Sequence, residues 1–124
     1  MKIQKILKRL LQLHPKSVDL SLNRIKRLLK DLSNPEKKIT NAIQVVGTNG
    51  KHSFCSTVRA IFETAGYTVN MNISPSLRKF NERYYLTGKY ISDDQLYDLL
   101  TEVEKINHNQ SITFHEFICA CFFL

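Results

Sequence analysis

The apolar positions of the first third recur with a helical period. Ile3, Ile6, Leu7, Leu10 and Leu11 fall three and four residues apart, with Lys2, Lys5, Lys8 and Arg9 between them. That spacing predicts an amphipathic helix over 2–13, ended at His14-Pro15. Asp19-Leu20-Ser21-Leu22 opens a second helix, with Ser21 as its N-cap and Leu22, Ile25, Leu28, Leu29 and Leu32 as its apolar stripe. Ser33-Asn34-Pro35 stops it, and 34–41 reads as a polar loop. The pattern then changes. Ala42-Ile43-Gln44-Val45-Val46 is short, apolar and rich in β-branched residues, which predicts a buried strand. A glycine loop follows at once. Val58, Ile61, Phe62 and Ala65 then share one helical face, closed by Gly66 as a C′ residue. Thr68 to Ile73 reads as a second strand, ending at Ser74-Pro75. The unit strand–glycine loop–helix–strand predicts an α/β fold: the start of a mostly parallel sheet with flanking helices, preceded by two N-terminal helices.

Residues 75–91 show little periodicity and read as a long loop of the functional or mobile kind. Ser92-Asp93-Asp94-Gln95 is a capping-box pattern, with Leu96, Leu99, Leu100, Val103 and Ile106 as the helical face behind it. Thr113-Phe114-His115-Glu116 is another. It starts a helix that is apolar nearly all round and therefore wants burial on every side. Two strands are too few to cover such a helix. The expectation is the front part of a larger design, its last helix exposed and available for self-association or for a complementing chain. No repeat or low-complexity segment is present.

Composition narrows the classes. The 124 residues make one domain at most. A hydrophobic share of 43% with 23% charged residues excludes wholesale disorder. The longest apolar run, Phe117 to Leu124, is too short to span a bilayer. Three cysteines, Cys55, Cys119 and Cys121, without CxxC spacing argue against a disulfide framework or a structural zinc site. They read as small core residues, and a reducing cytoplasm fits best. Residues 1–38 hold eleven Lys/Arg against three Asp/Glu, whereas 39–124 hold seven against eight. The charge therefore divides the chain into a basic helical segment, 1–38, and a near-neutral remainder, 39–124, that holds the glycine loop. A nucleic-acid or membrane-surface role would sit in the basic part. No nucleic-acid-binding motif accompanies the charge, so that reading is the weaker alternative. The absence of acids before Asp19 also suits a transit peptide, but the Ser richness and Arg bias of one are missing.

The strongest chemical signal is Gly47-Thr48-Asn49-Gly50-Lys51. Between a strand and a helix, successive N–H groups can wrap a phosphate, the helix N-terminus adds its positive end, and Lys51 adds a point charge. Strict Walker A spacing would place Gly at 45 and Ser/Thr at 52, where this chain has Val45 and His52, with a hydroxyl one later at Ser53. The alternative is a plain turn with a surface lysine.

Val45 to Ser53 closely resembles the GTNGKGS loop of folylpolyglutamate and dihydrofolate synthases, in the Mur-ligase superfamily. Asp19-Leu20-Ser21-Leu22 looks like the family's DLGL, and Arg24-Ile25 like its ERI. Ala65-Gly66-Tyr67, Ser74-Pro75-Ser76-Leu77 and Phe80-Asn81-Glu82-Arg83 look like AGY, SPHL and FNER. Ile91-Ser92-Asp93 and Thr113-Phe114-His115-Glu116 also fall in family order. His52, Ser21 and Ser76 replace glycine, glycine and histidine of those motifs, and His52 puts an imidazole beside the phosphate loop.

The resemblance implies an ATP-dependent amide ligase of folate biosynthesis. It phosphorylates a pteroate or folate carboxylate, and the amine of glutamate attacks the acyl phosphate. It further implies that Gly47, Thr48, Asn49, Gly50, Lys51 and Ser53 hold the ATP phosphates, with Lys51 the catalytic cation. Ser74 would contact magnesium. Asp19, Leu20, Ser21, Leu22, Thr113, Phe114, His115 and Glu116 would line the pterin side. Ser74 read without the resemblance is a turn residue, Glu116 the partner of Thr113 in a cap, and His115 a packed or exposed histidine with no ligand. Arg83 and Lys79 read as solvated loop charges. The family's later metal-binding glutamate and histidine, and its C-terminal domain, have no counterpart in these residues, which leads to the expectation of a truncated synthase, inactive alone. The alternative within the same resemblance is a non-catalytic module binding a nucleotide or a pterin.

Overall fold

A computed structural model describes residues 2–16 and 18–124. Its elements separate into two compact units: residues up to 40 together with 93–124, and residues 41–92. The grouping does not follow the division at residue 38. The last two helices belong with the first two, because that is where their apolar faces are buried.

The first unit is all-helical. Helices α1 (Lys2–Leu10) and α2 (Asn23–Asp31) meet α4 (Asp93–Asn107) and α5 (Phe114–Phe123), α1 lying on α4 and α2 on both α4 and α5. Ile6 and Leu10 from α1, Leu28 and Leu29 from α2, Leu96, Leu100 and Val103 from α4, and Phe117 and Ile118 from α5 are buried. The α1 and α4 sets keep the three-and-four spacing that the sequence shows. α1 stops at Leu10, short of the expected residue 13, and Leu11 is left exposed. α2 is capped at Leu22 without a side-chain cap. Ser21 sits one position earlier than expected of an N-cap, although its Oγ still accepts from the Asn23 N–H at 3.3 Å. Ser33 and Asn34 take left-handed backbone (φ 67° and 52°) after α2, and Pro35–Lys38 form a short 3-10 turn within the expected loop.

Helix α5 corrects an expectation. Phe117, Ile118, Ala120 and Cys121 are buried, not exposed. Helices supply the cover that a small sheet could not. The three cysteines are free. Asn107, the one large polar side chain in this core among the described residues, is fully buried and engaged at both ends: its Oδ1 accepts from Arg27 at 2.7 Å and its Nδ2 donates to the Gln110 carbonyl at 2.9 Å.

The second unit carries helix α3 (Lys51–Thr64) and strands β1 (Met71–Asn72), β2 (Tyr84–Leu86) and β3 (Lys89–Tyr90). α3 ends as the sequence predicts, with Gly66 at φ 90° and the Tyr67 N–H reaching back to the Phe62 carbonyl. The sheet differs from the expectation. Its order is β1-β2-β3 and both pairings are antiparallel, Met71 opposite Tyr85 and Tyr85 opposite Tyr90. β2 and β3 lie inside the stretch expected to be a loop. They form a hairpin about Thr87-Gly88, both with positive φ (48° and 90°), the conformation that matches a two-residue turn to strand twist. This tight hairpin supplies β1 with a neighbour at short chain distance. Ala42–Val46 pairs with no strand among the described residues, and Ile43 and Val46 are exposed. The mixed α/β class stands; the buried parallel strand does not. Among the described residues no helix is long and apolar enough to cross a membrane.

Replacing Asn107 by Ala should remove both of its bonds and leave the Arg27 donor short of a partner. That should cost about 1–3 kcal/mol. Leu11→Ala, at an exposed site, should stay within about 0.5 kcal/mol of the parent. Denaturant melts of the two variants read the difference.

Candidate functional site

The glycine loop runs directly into α3. Gly47 (φ 153°) and Gly50 (φ 75°) take backbone that other residues rarely adopt, and Gly50 is the N-cap of the helix. The Phe54 N–H closes the first helical turn on the Gly50 carbonyl at 2.9 Å. The preceding N–H groups of Lys51, His52 and Ser53 therefore lie at the free end of the helix, where an anion is favoured. The Lys51 ammonium folds back and donates to the Gly47 carbonyl, closing the loop on itself. Beside the loop is a cleft of about 490 Å³. Asn49, Gly50 and Lys51 form its polar side, and Ile43, Val46 and Phe54 its apolar side. Thr48, His52 and Ser53 are exposed.

Ser74 lies in the same unit, just beyond β1. Its Oγ accepts from Arg83 Nη1 at 3.0 Å. Arg83 is thus half-buried and engaged, its guanidinium also 5.1 Å from the Phe80 ring centre, and is not the solvated charge expected. The rest of Phe80-Asn81-Glu82-Arg83 is equally committed. Asn81 Nδ2 donates to the Ile91 carbonyl at 2.9 Å. Glu82 accepts from the N–H groups of Leu77, Arg78 and Lys79 at 2.7, 3.1 and 3.3 Å. Those backbone donors, Arg78 first and Leu77 next, hold the Glu82 carboxyl below its ordinary value. Ser74 alone does not make a metal site. One hydroxyl beside a guanidinium lacks the carboxylate that magnesium prefers, and no group of three or more His, Cys, Asp or Glu among the described residues could hold an ion.

In the helical unit the residues of the implied pterin side converge. The Thr113 Oγ1 caps the Glu116 N–H at 3.3 Å, and Glu116 Oε2 accepts from both the N–H and the hydroxyl of Thr113 at 2.9 Å, which makes the capping box the sequence predicts. Arg24 forks onto the same carboxylate, Nε to Oε2 and Nη2 to Oε1, both at 3.0 Å. Its remaining reach goes to the other segment: Nη1 lies 3.3 Å from Asp19 Oδ2, and Nη2 donates to the Asp19 carbonyl at 3.1 Å. The Ser21 N–H in turn donates to Asp19 Oδ1 at 3.1 Å. Arg24 is therefore the link between 19–22 and 113–116. Arg24 and Glu116 lie 92 residues apart in sequence, and no local periodicity signals their meeting. Leu20, Leu22 and His115 are exposed, and Phe114 is half-buried with its ring 6.2 Å from that of His115.

The charges follow from these contacts. Burial works against ionisation of Glu116, but the Arg24 fork and the Thr113 donors outweigh it and hold the carboxyl below its ordinary value. The Ser21 N–H does the same for Asp19, against some desolvation and with Arg24 assisting. The arginines of the basic segment are all engaged, Arg9 forking onto Glu104 while staying exposed and Arg27 pairing with Asp31 at 3.2 Å; Lys5, Lys8 and Lys26 are exposed as well.

No family model matches the chain. The dihydrofolate synthase/folylpolyglutamate synthase of Bacillus subtilis (strain 168) is 38% identical over 110 residues, covering 83% of this chain and 25% of that protein. The solved folylpolyglutamate synthetase from Lactobacillus casei matches with a TM-score of 0.84 at 28% identity, covering 99% of this chain and 32% of that one. The bifunctional folylpolyglutamate synthase/dihydrofolate synthase from Yersinia pestis, complexed with AMPPNP and Mn ion, matches with a TM-score of 0.86 at 29% identity, covering 98% and 29%. The chain spans about a quarter of the length of the curated relatives it matches. Its fold corresponds to the Mur-ligase-like α/β domain of these enzymes.

Folding lowers the proton affinity of both Glu116 and Asp19, so below their ordinary values the unfolded chain binds more protons than the folded one. The stability they contribute is present above about pH 4.3 and is lost as pH falls through the depressed values. Melting temperature followed from pH 6 down to about pH 3 should fall more steeply for the parent than for Glu116→Gln. Parallel curves would refute the assignment.

Proposed function

This chain is a homologue of the folylpolyglutamate/dihydrofolate synthases over about a quarter of their length, and from that kinship we propose that it carries the nucleotide loop and one side of the pterin pocket of an ATP-dependent carboxylate–amine ligase. The reaction adds L-glutamate to dihydropteroate or a tetrahydrofolate. The carboxylate of the pteroate or folate attacks the γ-phosphorus of ATP, an acyl–phosphate bond forms, and ADP leaves. The glutamate amine then attacks the acyl carbon, an amide bond forms, and phosphate leaves while the amine proton passes to solvent.

The observation that carries this reading is the glycine loop, with a lysine at its end, running straight into the α3 N-terminus. The N–H groups of Gly47 to Gly50 and the Ser53 hydroxyl suit phosphate oxygens. Lys51 is the catalytic cation: a γ-phosphate is a stronger acceptor than the Gly47 carbonyl it now meets, and the ammonium there offsets charge on the transferred group. Magnesium enters only as the counter-ion of the nucleotide, with Ser74 its assigned contact. On the pterin side, Asp19 and Glu116 are committed to Arg24 and so set the shape of the pocket. Leu20, Ser21, Leu22, Phe114 and His115 form its surface, and Thr113, buried, holds Glu116 in the cap behind them.

Phosphoryl transfer depends on positioned charge. With one hydroxyl and no carboxylate cluster for a metal among the described residues, the 124 residues alone should bind nucleotide without turning it over. Magnesium-ATP at about 100 times its dissociation constant should add roughly 2.7 kcal/mol and raise the melting temperature by several degrees. Lys51→Ala should abolish that rise. An ATP-insensitive melt of the parent would refute the reading, and so would ADP release by the chain alone dependent on folate and glutamate.

A further inference from the structure

The chain holds nine asparagines, and only Asn49 is followed by glycine. The side-chain amide of an asparagine is open to attack by the backbone nitrogen of the next residue, which closes a five-membered ring. A Cβ on that next residue stands in the way, and glycine alone has none. The fold then decides whether the two groups are free to meet. Most of the other asparagines are held. Asn107 is buried with both ends of its amide engaged, Asn81 donates to the Ile91 carbonyl at 2.9 Å, and Asn70 accepts from the Thr87 N–H at 2.9 Å. Asn34 precedes Pro35, whose nitrogen carries no hydrogen to lose. The Gln110 N–H that Asn109 would need donates to the Asn107 carbonyl at 3.0 Å.

Asn49 has none of these restraints. Among the described residues neither its side chain nor the Gly50 N–H has a hydrogen-bond partner. Both residues are exposed and line the cleft beside the loop, so water reaches them. A Cβ built on Gly50 would meet nothing within 4 Å, which leaves room for the ring. The pair also stands at the start of α3, whose free N–H groups favour negative charge. The attack develops such charge, first on the Gly50 nitrogen and then on the Asn49 Oδ1, and the Lys51 ammonium follows directly in the chain.

We propose that Asn49 is a self-modification site, converted to an acid through a ring closed by the Gly50 nitrogen. The Gly50 N–H gives its proton to solvent base, and the nitrogen bonds to the Asn49 Cγ. The Cγ–Nδ2 bond breaks, and ammonia leaves with a proton from solvent. Water then opens the cyclic imide at either carbonyl, giving aspartate or isoaspartate. The net change is one water consumed and one ammonia released, with nothing oxidised or reduced. Either product puts a negative charge into a loop segment, 47–50, that carries none. Isoaspartate also lengthens the backbone by a methylene just ahead of the N-cap of α3. The modification rests on the loop geometry. Its consequence, a phosphate loop that loses its ligand as the protein ages, rests on the nucleotide reading.

The test incubates the 124-residue chain in weakly alkaline buffer and follows each asparagine by peptide mass spectrometry, with isoaspartate read by enzymatic methylation. Asn49 should convert about tenfold faster than the exposed Asn41, a barrier difference of roughly 1.4 kcal/mol. It should do so no more slowly in the native chain than in the same chain unfolded in urea, and isoaspartate should be among the products. Asn49→Gln, whose attack needs a six-membered ring, should lose the conversion at that position. Asn49→Asp, a stable copy of one product, should lack the melting rise with magnesium-ATP. Conversion of Asn49 no faster than Asn41 would overturn the proposal. So would a native fold that protects Asn49 relative to the unfolded chain, or aspartate formed without isoaspartate. A rise retained by Asn49→Asp would overturn the consequence. A parent melt indifferent to ATP would refute the nucleotide reading alone, and the conversion rates still decide the modification.

Discussion

A carboxylate that gathers several donors fixes the segments that bring them, and that constraint organises both units of this chain. In the helical unit it is Glu116, whose two oxygens are taken by the Arg24 fork and by the Thr113 N–H and hydroxyl. In the sheet unit it is Glu82, which gathers three consecutive backbone N–H groups. Each is a loop organiser as much as a charge. Glu116 fixes where α5 begins and, through Arg24, where the 19–22 segment lies. Glu82 folds 77–79 back and leaves Arg83 aimed at Ser74. The residues that resemble family motifs are thus, in large part, the residues that hold the loops.

Asp19 and Glu116 are both engaged by Arg24, and neither is a spare acid. The same contacts leave their neighbours Leu20, Leu22 and His115 exposed. The glycine loop follows a different logic. It is built from backbone and one ammonium, so its shape depends on the two glycines and the helix start more than on side-chain packing. His52 points into solvent beside it.

The sheet unit shows how a sequence pattern and its burial come apart. Ala42–Val46 and the Phe54/Ile61 stripe have the composition of interior surface, yet they lie exposed. What α3 does hold against the sheet is a polar cluster, Arg59, Glu63 and Tyr85, in which the Glu63 bond and burial together push the Tyr85 hydroxyl above its ordinary value.

The sequence by itself determined the local features whose cause is local. The helical stripes of α1, α2 and α4, the Thr113–Glu116 capping box, the Gly66 stop and the glycine loop at the start of α3 all rest on residues within a turn or two of one another. The hairpin at Thr87-Gly88 was legible in principle, since a two-residue turn containing glycine between Tyr84-Tyr85-Leu86 and Lys89-Tyr90 is a hairpin signal. Only the tertiary structure decided what depends on distant partners. Strand pairing is one such case: antiparallel β1-β2-β3 in place of a parallel pair, because a strand's hydrogen bonds are made to another segment and its own residues do not name which. The burial of α5 by helices is a second. The meeting of Asp19, Arg24 and Glu116 is the third, and it joins residues that share no period, only a charge and a place in space.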